Sequence, residues 1–238
     1  MTTPSSRIGI IGGMSWESTS AYYRLLNELH DRADDPWSQP RVLIDSVEFG
    51  QIVDFQRSGD WDAAGAVLAD SARRLVDAGA TVLGIGANTM HKCIDAVRDA
   101  VDVPLVDVRD AMAAAITARG GDSLTLLGTA YVVQQRFYSD HLEALGITVV
   151  KPSDDQAAVL QRIVYDELTR GIVLDQSRAE FIEIAESCRA RGGDIVGLCC
   201  TEFGMLVSED NAPFPFLDST VVHVRALLAE SARQSVSR

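Results

Sequence analysis

The chain has 238 residues, of which 47% are hydrophobic and 23% are charged, and its formal net charge at pH 7 is −13. This length and mixture are typical of one compact α/β body with two lobes and a substantial core. The acidic balance argues against nucleic acid or an anionic membrane as the main partner, because no basic surplus is available to meet phosphates. An anionic small substrate is not excluded, since a local site can oppose the overall charge.

Short apolar runs rich in Val, Ile and Leu alternate with longer amphipathic segments along the chain. In order, the predicted strands are residues 7–11, 41–46, 81–85, 104–106, 123–127, 148–150, 195–198 and 214–217. The predicted helices are residues 18–31, 60–78, 91–100, 110–119, 133–145, 154–170, 176–191 and 221–235. Continuous apolar strands between helices predict mainly parallel sheets that are covered on both faces.

The pattern restarts near residue 123, which predicts a duplication. Gly-Gly at 12–13 follows the first strand as Gly-Thr at 128–129 follows the fifth, and Asn-Thr at 88–89 has a counterpart in Thr-Glu at 201–202. The predicted fold is therefore α/β with two pseudo-symmetric lobes, each a mainly parallel sheet flanked by helices. Because ligands of open α/β sheets bind at the carboxyl ends of strands, we expect the active site in the cleft between the lobes. The predicted division assigns 1–112, completed by 213–238, to the N-terminal lobe and 113–212 to the second lobe.

Targeting signals and metal sites are not predicted. The first seven residues are polar and the following apolar run is only four residues long, so we expect neither a signal peptide nor a membrane span. The cysteines are Cys93, Cys188, Cys199 and Cys200, with no CxxC spacing, and adjacent cysteines rarely bridge each other. The sequence thus predicts a reduced, cytoplasmic protein without a zinc site.

The loops that follow the strands are rich in glycine, hydroxyl and amide groups. The segment GGMSWEST at 12–19 lacks both the GxGxxG spacing and the Gly-Lys-Ser/Thr ending, so a dinucleotide or ATP site is a weak interpretation, and a plain helix cap explains the turn equally well. Asn88 and Thr89 suit a helix N-cap and can also bind a carboxylate, as can Thr129 and Thr201. Four such loops together favour a small carboxylate ligand.

Cys199 and Cys200 lie where the seventh predicted strand ends. Because neighbouring strand residues point to opposite faces, Cys199 is predicted to pack in the core. Cys200 lies beside a predicted helix N-terminus, where amide dipoles lower a thiol pKa and favour the thiolate. Such a thiol can attack an electrophile or move a proton at the carbon next to a carboxylate. Proton transfer fits better, because no peptide-binding feature accompanies the thiol.

Several motifs together carry a family resemblance. They are GIIGGMSWESTSAYYRLLNE (9–28), SVEFGQI (46–52), GDWDAAGAVLADSARRL (59–75), NTMHK (88–92), LLGT (126–129), QQRFY (134–138), YDEL (165–168) and CTE (200–202). In them the chain resembles the cofactor-independent aspartate/glutamate racemase family over nearly its whole length. The resemblance implies that one thiol removes the α-proton of an acidic amino acid such as aspartate or glutamate and a second thiol returns a proton to the opposite face. It implies no pyridoxal phosphate, no metal, a last helix packed on the first, and a homodimer.

The resemblance also assigns the site. It makes Cys200 the second proton-transfer thiol, with Glu202 as an orienting or catalytic partner, whereas the position of the first acid/base falls on Ala87, which carries no ionisable group. A further departure is Val132-Val133, where the family often has threonine. From the residues alone, Gln51 or Arg170 could reach a distal carboxylate of the substrate, but Gln51 can equally be a helix cap and Arg170 is better explained as a solvated helix end. The candidate substrate-binding residues are Met14, Ser15, Gln51, Asn88, Thr89, Thr129 and Thr201.

Ala87 leaves four interpretations open. The first is a racemase or epimerase with an unequal pair, in which His91, Glu202 or a water replaces the missing group. The second is a single-thiol decarboxylase or isomerase of a small carboxylic acid, similar to the arylmalonate decarboxylases of the same superfamily. The third is a protein that binds the ligand without chemistry. The fourth is an alanine introduced to trap a ligand.

Overall fold

The computed structural model describes residues 6–33 and 35–236, with the side chains of residues 235 and 236 left out. The polar start at Met1–Ser5, on which part of the signal-peptide prediction depends, lies outside the described residues. The strands are β1 (Arg7–Gly12), β2 (Arg41–Ser46), β3 (Val82–Ile85), β4 (Leu105–Val106), β5 (Ser123–Gly128), β6 (Thr148–Val150), β7 (Ile195–Cys199) and β8 (Phe216–Asp218). Within the described ranges, none of the helices has the length and apolar content of a membrane span.

Helices connect these strands. The α-helices are α1 (Trp16–Glu28), α2 (Phe49–Ser58), α3 (Trp61–Asp77), α4 (Ile94–Arg98), α5 (Val108–Ala118), α6 (Ala130–Gln134), α7 (Ser139–Ala144), α8 (Asp154–Arg162), α9 (Asp175–Arg189) and α10 (Ser219–Val236). Short 3₁₀ helices occupy Thr89–Cys93, Leu168–Arg170 and Thr201–Met205, and a π-helical turn occupies Ile163–Glu167.

The strands form two four-stranded sheets of the same topology, with the orders β2-β1-β3-β4 and β6-β5-β7-β8. Every pairing in both sheets is parallel. The predicted α/β fold with two similar halves is therefore confirmed. The buried runs of β1, β3, β5 and β7 explain it, because these central strands are covered by helices on both faces.

The chain divides into two compact units. The first comprises Met1–Asp107 and His223–Arg238, and the second comprises Val108–Val222. The sequence prediction placed the boundaries after residues 112 and 212. The second boundary differs because β8 pairs with β7, with Leu217 opposite Gly197, and so belongs to the second sheet.

In the first unit, β1 alternates between two cores: Ile8 and Ile10 pack with α1 and α10, whereas Ile11 packs with α3 and α4. Tyr22 of α1 and Leu227 of α10 share the first of these cores, which confirms that the last helix packs on the first. In the second unit one core lies against α8 and α9 and the other against α5 and α7.

Two predicted helices are wrong in part. Residues 133–145 do not form one helix, because the chain becomes extended at Gln135 and buries Tyr138 completely between α6 and α7. Residues 154–170 begin as α8 behind a Ser153 capping box but continue as the π-helical and 3₁₀ turns. Helix α2 was not predicted, and it begins because Glu48 accepts hydrogen bonds from the backbone N–H groups of Gly50 and Gln51.

Candidate active site

In the first unit, the loops after β1 and β3 leave the sheet side by side. Ile11 is in register with Ile85, and the Gly86 N–H donates to the Ile11 carbonyl at 2.9 Å. Parallel strands bring their carboxyl ends to one edge of the sheet. The backbone of Met14 and Ser15 therefore lies at the same edge of the sheet as the backbone of residues 87–89.

The loop after β1 is a tight turn that caps α1. Gly13 has φ +88°, and a Cβ at this position would lie 2.3 Å from the Val47 carbonyl oxygen, so only glycine fits. Its N–H donates to Thr19 Oγ1 at 2.8 Å, and Ser15 Oγ accepts from the Ser18 N–H. The predicted helix cap is thus confirmed. Met14 is buried in the core, and its contact with substrate stays a prediction.

The loop after β3 does not form the side-chain helix cap that was predicted at Asn88. Ala87 is 8% exposed, and its carbonyl lies 3.0 Å from Nδ1 of the buried His91, which places a donated proton on that ring nitrogen. Asn88 has helical dihedral angles and makes no side-chain cap, so its predicted N-cap role is wrong. Thr89 opens the 3₁₀ turn as a half-buried residue. Gln51, by contrast, is exposed on the first turn of α2.

In the second unit, the paired ends of β5 and β7 present Thr129 and Cys200. Gly128 is in register with Cys199, so the two loops begin next to each other. Thr129 precedes α6 as its N-cap residue without a side-chain capping bond. The adjacent cysteines separate as predicted: Cys199 is fully buried against α5 and α7, whereas Cys200 faces the core formed with α8 and α9.

Cys200 forms a hydrogen-bonded cluster with the two residues that follow it. Its Sγ donates to Glu202 Oε2 at 3.0 Å, and Thr201 Oγ1 donates to the same oxygen at 2.6 Å. Cys200 is 6% exposed and Glu202 is 5% exposed. A carboxylate oxygen that accepts from both a thiol and a hydroxyl is well placed to take the thiol proton.

The prediction of a low Cys200 pKa is wrong. Burial raises the pKa of the Cys200 thiol well above its ordinary value, and the charge of Glu202 raises it further. A helical turn does begin after Cys200, but it is a 3₁₀ helix of five residues, too short for its amide dipoles to outweigh these two effects. The resting state is therefore a protonated thiol, which suits a proton donor.

Removing the charge of Glu202 is expected to lower the Cys200 pKa. In Glu202→Gln, burial still opposes the thiolate but the adjacent negative charge is gone, so the midpoint of the Cys200 titration should fall. The thiolate absorbance near 240 nm, measured against pH and corrected with Cys200→Ser, reports this midpoint. An unchanged midpoint would mean that Glu202 does not interact with the sulfur in the folded protein.

The other three cysteines are buried, and we assign them structural roles. Burial raises the pKa of Cys93 to about 11 and that of Cys199 to about 12, and burial also raises the pKa of Cys188. None of these three thiols is favoured as a thiolate at neutral pH.

Sequence reasoning missed a group of polar residues around Cys200. Gln161 Oε1 accepts from the Ala130 N–H at 2.8 Å and so ties α8 to the loop after β5. Tyr165 lies in the π-helical turn, a geometry often found at functional sites. Burial raises the pKa of its phenol, and the charges of Tyr131 and Cys200 add to this. The YDEL motif was the available signal, but residue spacing alone does not reveal a π turn.

Polar contacts of Glu167 hold this π turn in place. Glu167 accepts from Arg162 Nη1 at 2.5 Å and from Ser177 Oγ at 2.5 Å, and Arg162 also pairs with Glu180. Because both carboxylate oxygens of Glu167 are engaged, the turn that carries Tyr165 is fixed in place.

Two buried histidines, His91 and His223, lie in one network of the first unit. The Tyr22 hydroxyl lies 2.7 Å from His223 Nδ1, and His223 Nε2 lies 2.9 Å from the Val106 carbonyl. Since a carbonyl only accepts, Nε2 carries the proton and Nδ1 accepts from Tyr22. The ring of His91 lies 5.7 Å from that of His223. His223 is thus a structural residue rather than an acid/base.

Comparison with known proteins places this geometry in a family. The Asp/Glu/Hydantoin racemase family model matches residues 11–227. The chain belongs to the Asp/Glu/hydantoin racemase family. It is 23% identical over 216 residues to the broad specificity amino-acid racemase RacX of Bacillus subtilis (strain 168), covering 90% of this chain and 92% of that protein.

Two solved structures of racemase relatives agree with the fold. A Yersinia pestis protein assigned as an Asp/Glu racemase is 36% identical with a TM-score of 0.87, and 95% of this chain and 99% of that chain are covered. An aspartate racemase homologue from Pyrococcus horikoshii OT3 is 32% identical with a TM-score of 0.83, with the same coverage. Membership of this racemase family supports an amino-acid racemase activity on a small amino-acid substrate. The homodimer implied by the resemblance stays a prediction.

Proposed function

We propose that this protein is a cofactor-independent amino-acid racemase or epimerase in which Cys200 moves the α-proton. The observation that carries the proposal is the buried contact of 3.0 Å between Cys200 Sγ and Glu202 Oε2 at the end of β7. A thiol alone with a raised pKa is a poor base at neutral pH. A thiol that can pass its proton to a neighbouring carboxylate serves both as base and as acid.

The proton transfers follow from this contact. When Cys200 acts as base, Glu202 accepts the thiol proton while the sulfur takes the α-hydrogen of the substrate, which leaves an enediolate. When Cys200 acts as acid, its S–H donates to the α-carbon and Glu202 returns a proton to the sulfur. The Thr129 hydroxyl is a neutral donor suited to hold the substrate carboxylate as its negative charge grows, whereas the Thr201 hydroxyl already donates its proton to Glu202.

Ala87 makes the second proton transfer unequal to the first. The family resemblance assigns the opposite acid/base to this position, and a methyl side chain neither donates nor accepts a proton. His91 Nδ1 donates its proton to the Ala87 carbonyl, so this ring nitrogen is already hydrogen-bonded. We propose that a water or another group completes the reaction at a lower rate than a thiol does.

A single-thiol decarboxylase or isomerase is the second candidate function. The protonated resting state of Cys200 favours it, because such chemistry needs one proton donor to quench a carbanion after carbon dioxide leaves. The half-buried Tyr165 packs against the same core as Cys200 and adds apolar surface near this thiol, and an apolar surrounding destabilises a carboxylate that is to be lost.

Hydrogen exchange in deuterium oxide separates these functions. Pure L- or D-amino acids are incubated with the protein and followed by proton NMR and chiral chromatography. Exchange with inversion is the expected result. Exchange with retention would restrict Cys200 to one face, and carbon dioxide release from a malonate without any exchange would support the decarboxylase. Binding without chemistry would contradict both enzymatic proposals.

Restoring a thiol at position 87 is expected to raise the racemisation rate. In Ala87→Cys the missing acid/base returns, and general acid–base catalysis contributes about 10²–10⁴-fold, so a gain of at least about tenfold is expected. Ala87→Ser is the matched control, because it has nearly the same size without an acidic proton at neutral pH. Equal rates in the two variants would show that the missing thiol is not what limits the reaction.

A further inference from the structure

The first sheet has an edge strand that differs from the other sheet edges in length. Among the described residues, each strand at the end of a sheet has a neighbouring strand on one side only. The edge strands β4, β6 and β8 are two or three residues long, whereas the edge strand β2 has six residues. Proteins keep edge strands short because an edge offers its N–H and C=O groups to other chains. Strand β2 is therefore the edge best suited to pair with a further strand.

The outer side of β2 is open. A groove of about 310 Å³ lies beside the first half of the strand and is lined by Arg7 of β1 and by Arg41, Val42 and Leu43. Ile44 is 40% exposed although it lies within a strand. Residues 42–44 include neither a charged side chain nor a proline, which are the usual means of protecting an edge. An open and apolar edge of this kind favours pairing with another chain.

Exposed aromatic side chains flank the same strand. Trp37 lies four residues before β2 and is exposed, and Trp16 and Tyr23 of α1 are 71% and 51% exposed. The two α1 residues are seven positions apart and therefore lie on one face of the helix. Helix α1 packs against β2, so this aromatic face is close to the open edge. Aromatic side chains are enriched in protein–protein interfaces, where a partner covers them.

The sequence of β2, Arg-Val-Leu-Ile-Asp-Ser, is complementary to itself in antiparallel pairing. When two copies pair around Leu43, Arg41 lies opposite Asp45 of the second copy at both ends, and Val42 lies opposite Ile44. Opposite residues of an antiparallel pair share a face, so each cation meets a carboxylate and stabilises the pair. Asp45 already pairs with Arg74 at 2.6 Å, and its two oxygens have lone pairs for a second guanidinium. A shift by one or two residues removes both charge pairs.

We propose that β2 pairs antiparallel with β2 of a second copy of this chain, around a two-fold axis at Leu43. The pairing joins two four-stranded sheets into one sheet of eight strands, and the same surface contributes to both sides of the interface. The residues of this interface belong to the first unit, and none of them takes part in the proposed racemase reaction. The family resemblance implies a homodimer but leaves its surface unassigned.

A cysteine on the two-fold axis tests the register. Opposite residues have Cα atoms about 4.5–5.5 Å apart, within disulfide range, so mild oxidation of Leu43→Cys should give a covalent dimer of twice 25.7 kDa. Ile44→Cys is the matched control, because its two copies are diagonal neighbours about 7–8 Å apart. The four native cysteines are buried and do not compete. Failure of Leu43→Cys to cross-link, or equal cross-linking of both variants, would overturn the proposal.

Exchanging the two charges tests the pairing without a covalent link. Arg41→Asp places two carboxylates opposite each other at both ends, and Asp45→Arg places two guanidinium groups there. Each single variant should raise the dimer Kd, measured by sedimentation equilibrium, by at least about tenfold. The double variant Arg41→Asp/Asp45→Arg restores both pairs at unchanged net charge and should return to within about threefold of wild type.

A wild-type chain that stays monomeric, or a dimer whose Kd does not change in the single variants, would overturn the proposal. Circular dichroism checks that each variant is folded. Where a charge variant does not fold, the cross-linking of Leu43→Cys against Ile44→Cys decides the proposal by itself.

Discussion

Replacing Cys200 by serine is expected to lower the rate of α-hydrogen exchange by about 10²–10⁴-fold. Serine keeps the size and the hydrogen bond to Glu202 but has a far less acidic hydroxyl, so it neither gives nor takes the proton at a useful rate. The measurement is proton NMR of a racemised amino acid in deuterium oxide. Circular dichroism should stay native-like, because the hydroxyl can donate to Glu202 Oε2 as the thiol does.

Cys199→Ser is the matched control for this prediction. The two sulfurs are neighbours in sequence, but Cys199 packs with α5 and α7 on the other face of β7. Its exchange rate should stay within about twofold of wild type, with a loss of stability of about 1 kcal/mol from a hydroxyl in an apolar core. Loss of exchange in Cys199→Ser with retention in Cys200→Ser would reverse the roles of the two cysteines and refute the proposed mechanism.

The second large effect is expected on stability at acidic pH and comes from His223. Burial lowers the pKa of His223 from 6.5 to about 3, and the charge of His91 contributes to the same shift. The folded protein therefore keeps this ring neutral below pH 6.5, while the unfolded chain takes up a proton. Stability is fully present above about pH 6.5, falls by about 1.4 kcal/mol per pH unit below it, and has lost roughly 3 kcal/mol at pH 4.

His223→Gln isolates this contribution. Its amide can donate to the Val106 carbonyl and accept from the Tyr22 hydroxyl, but it does not titrate. The free energy of unfolding, from urea denaturation between pH 7 and pH 4, should depend less steeply on pH in the variant than in wild type. Identical slopes would contradict a neutral buried ring at this position.

Tyr22→Phe separates the loss of the hydrogen bond from the titration. The variant leaves His223 Nδ1 without its Tyr22 donor, which should cost about 1–3 kcal/mol at every pH. Because the ring is still buried, the dependence of stability on pH should persist. A variant that lost both stability and pH dependence would point to collapse of the network between α1 and α10.

The predictions for Cys200 and His223 concern different parts of the molecule but have the same physical cause. Cys200 and His223 are both buried, and burial disfavours the charged form of each group. For the thiol the outcome is a resting acid that can work only through Glu202. For the imidazole, with both nitrogens hydrogen-bonded, the outcome is a neutral link from α10 to Tyr22 of α1 and to Val106 of β4.

The amino-acid sequence by itself determined the fold class, the parallel strands and the family. Buried runs such as 82–85 and 195–199 have no polar side chain to face water, so they must be central strands covered on both faces. The alternation of strand side chains alone was enough to assign Cys199 to the core. The departure at Ala87 was likewise visible in the sequence.

Only the tertiary structure decided the electrostatics and the local geometry of the site. Sequence spacing placed Cys200 at a helix N-terminus but not in a buried contact with Glu202, and burial rather than the helix dipole set the direction of its pKa. The π turn at Tyr165 depends on Glu167, which accepts from Arg162 and from Ser177 on another helix. Such effects come from groups distant along the chain, whose desolvation and hydrogen bonding exist only once the chain is folded.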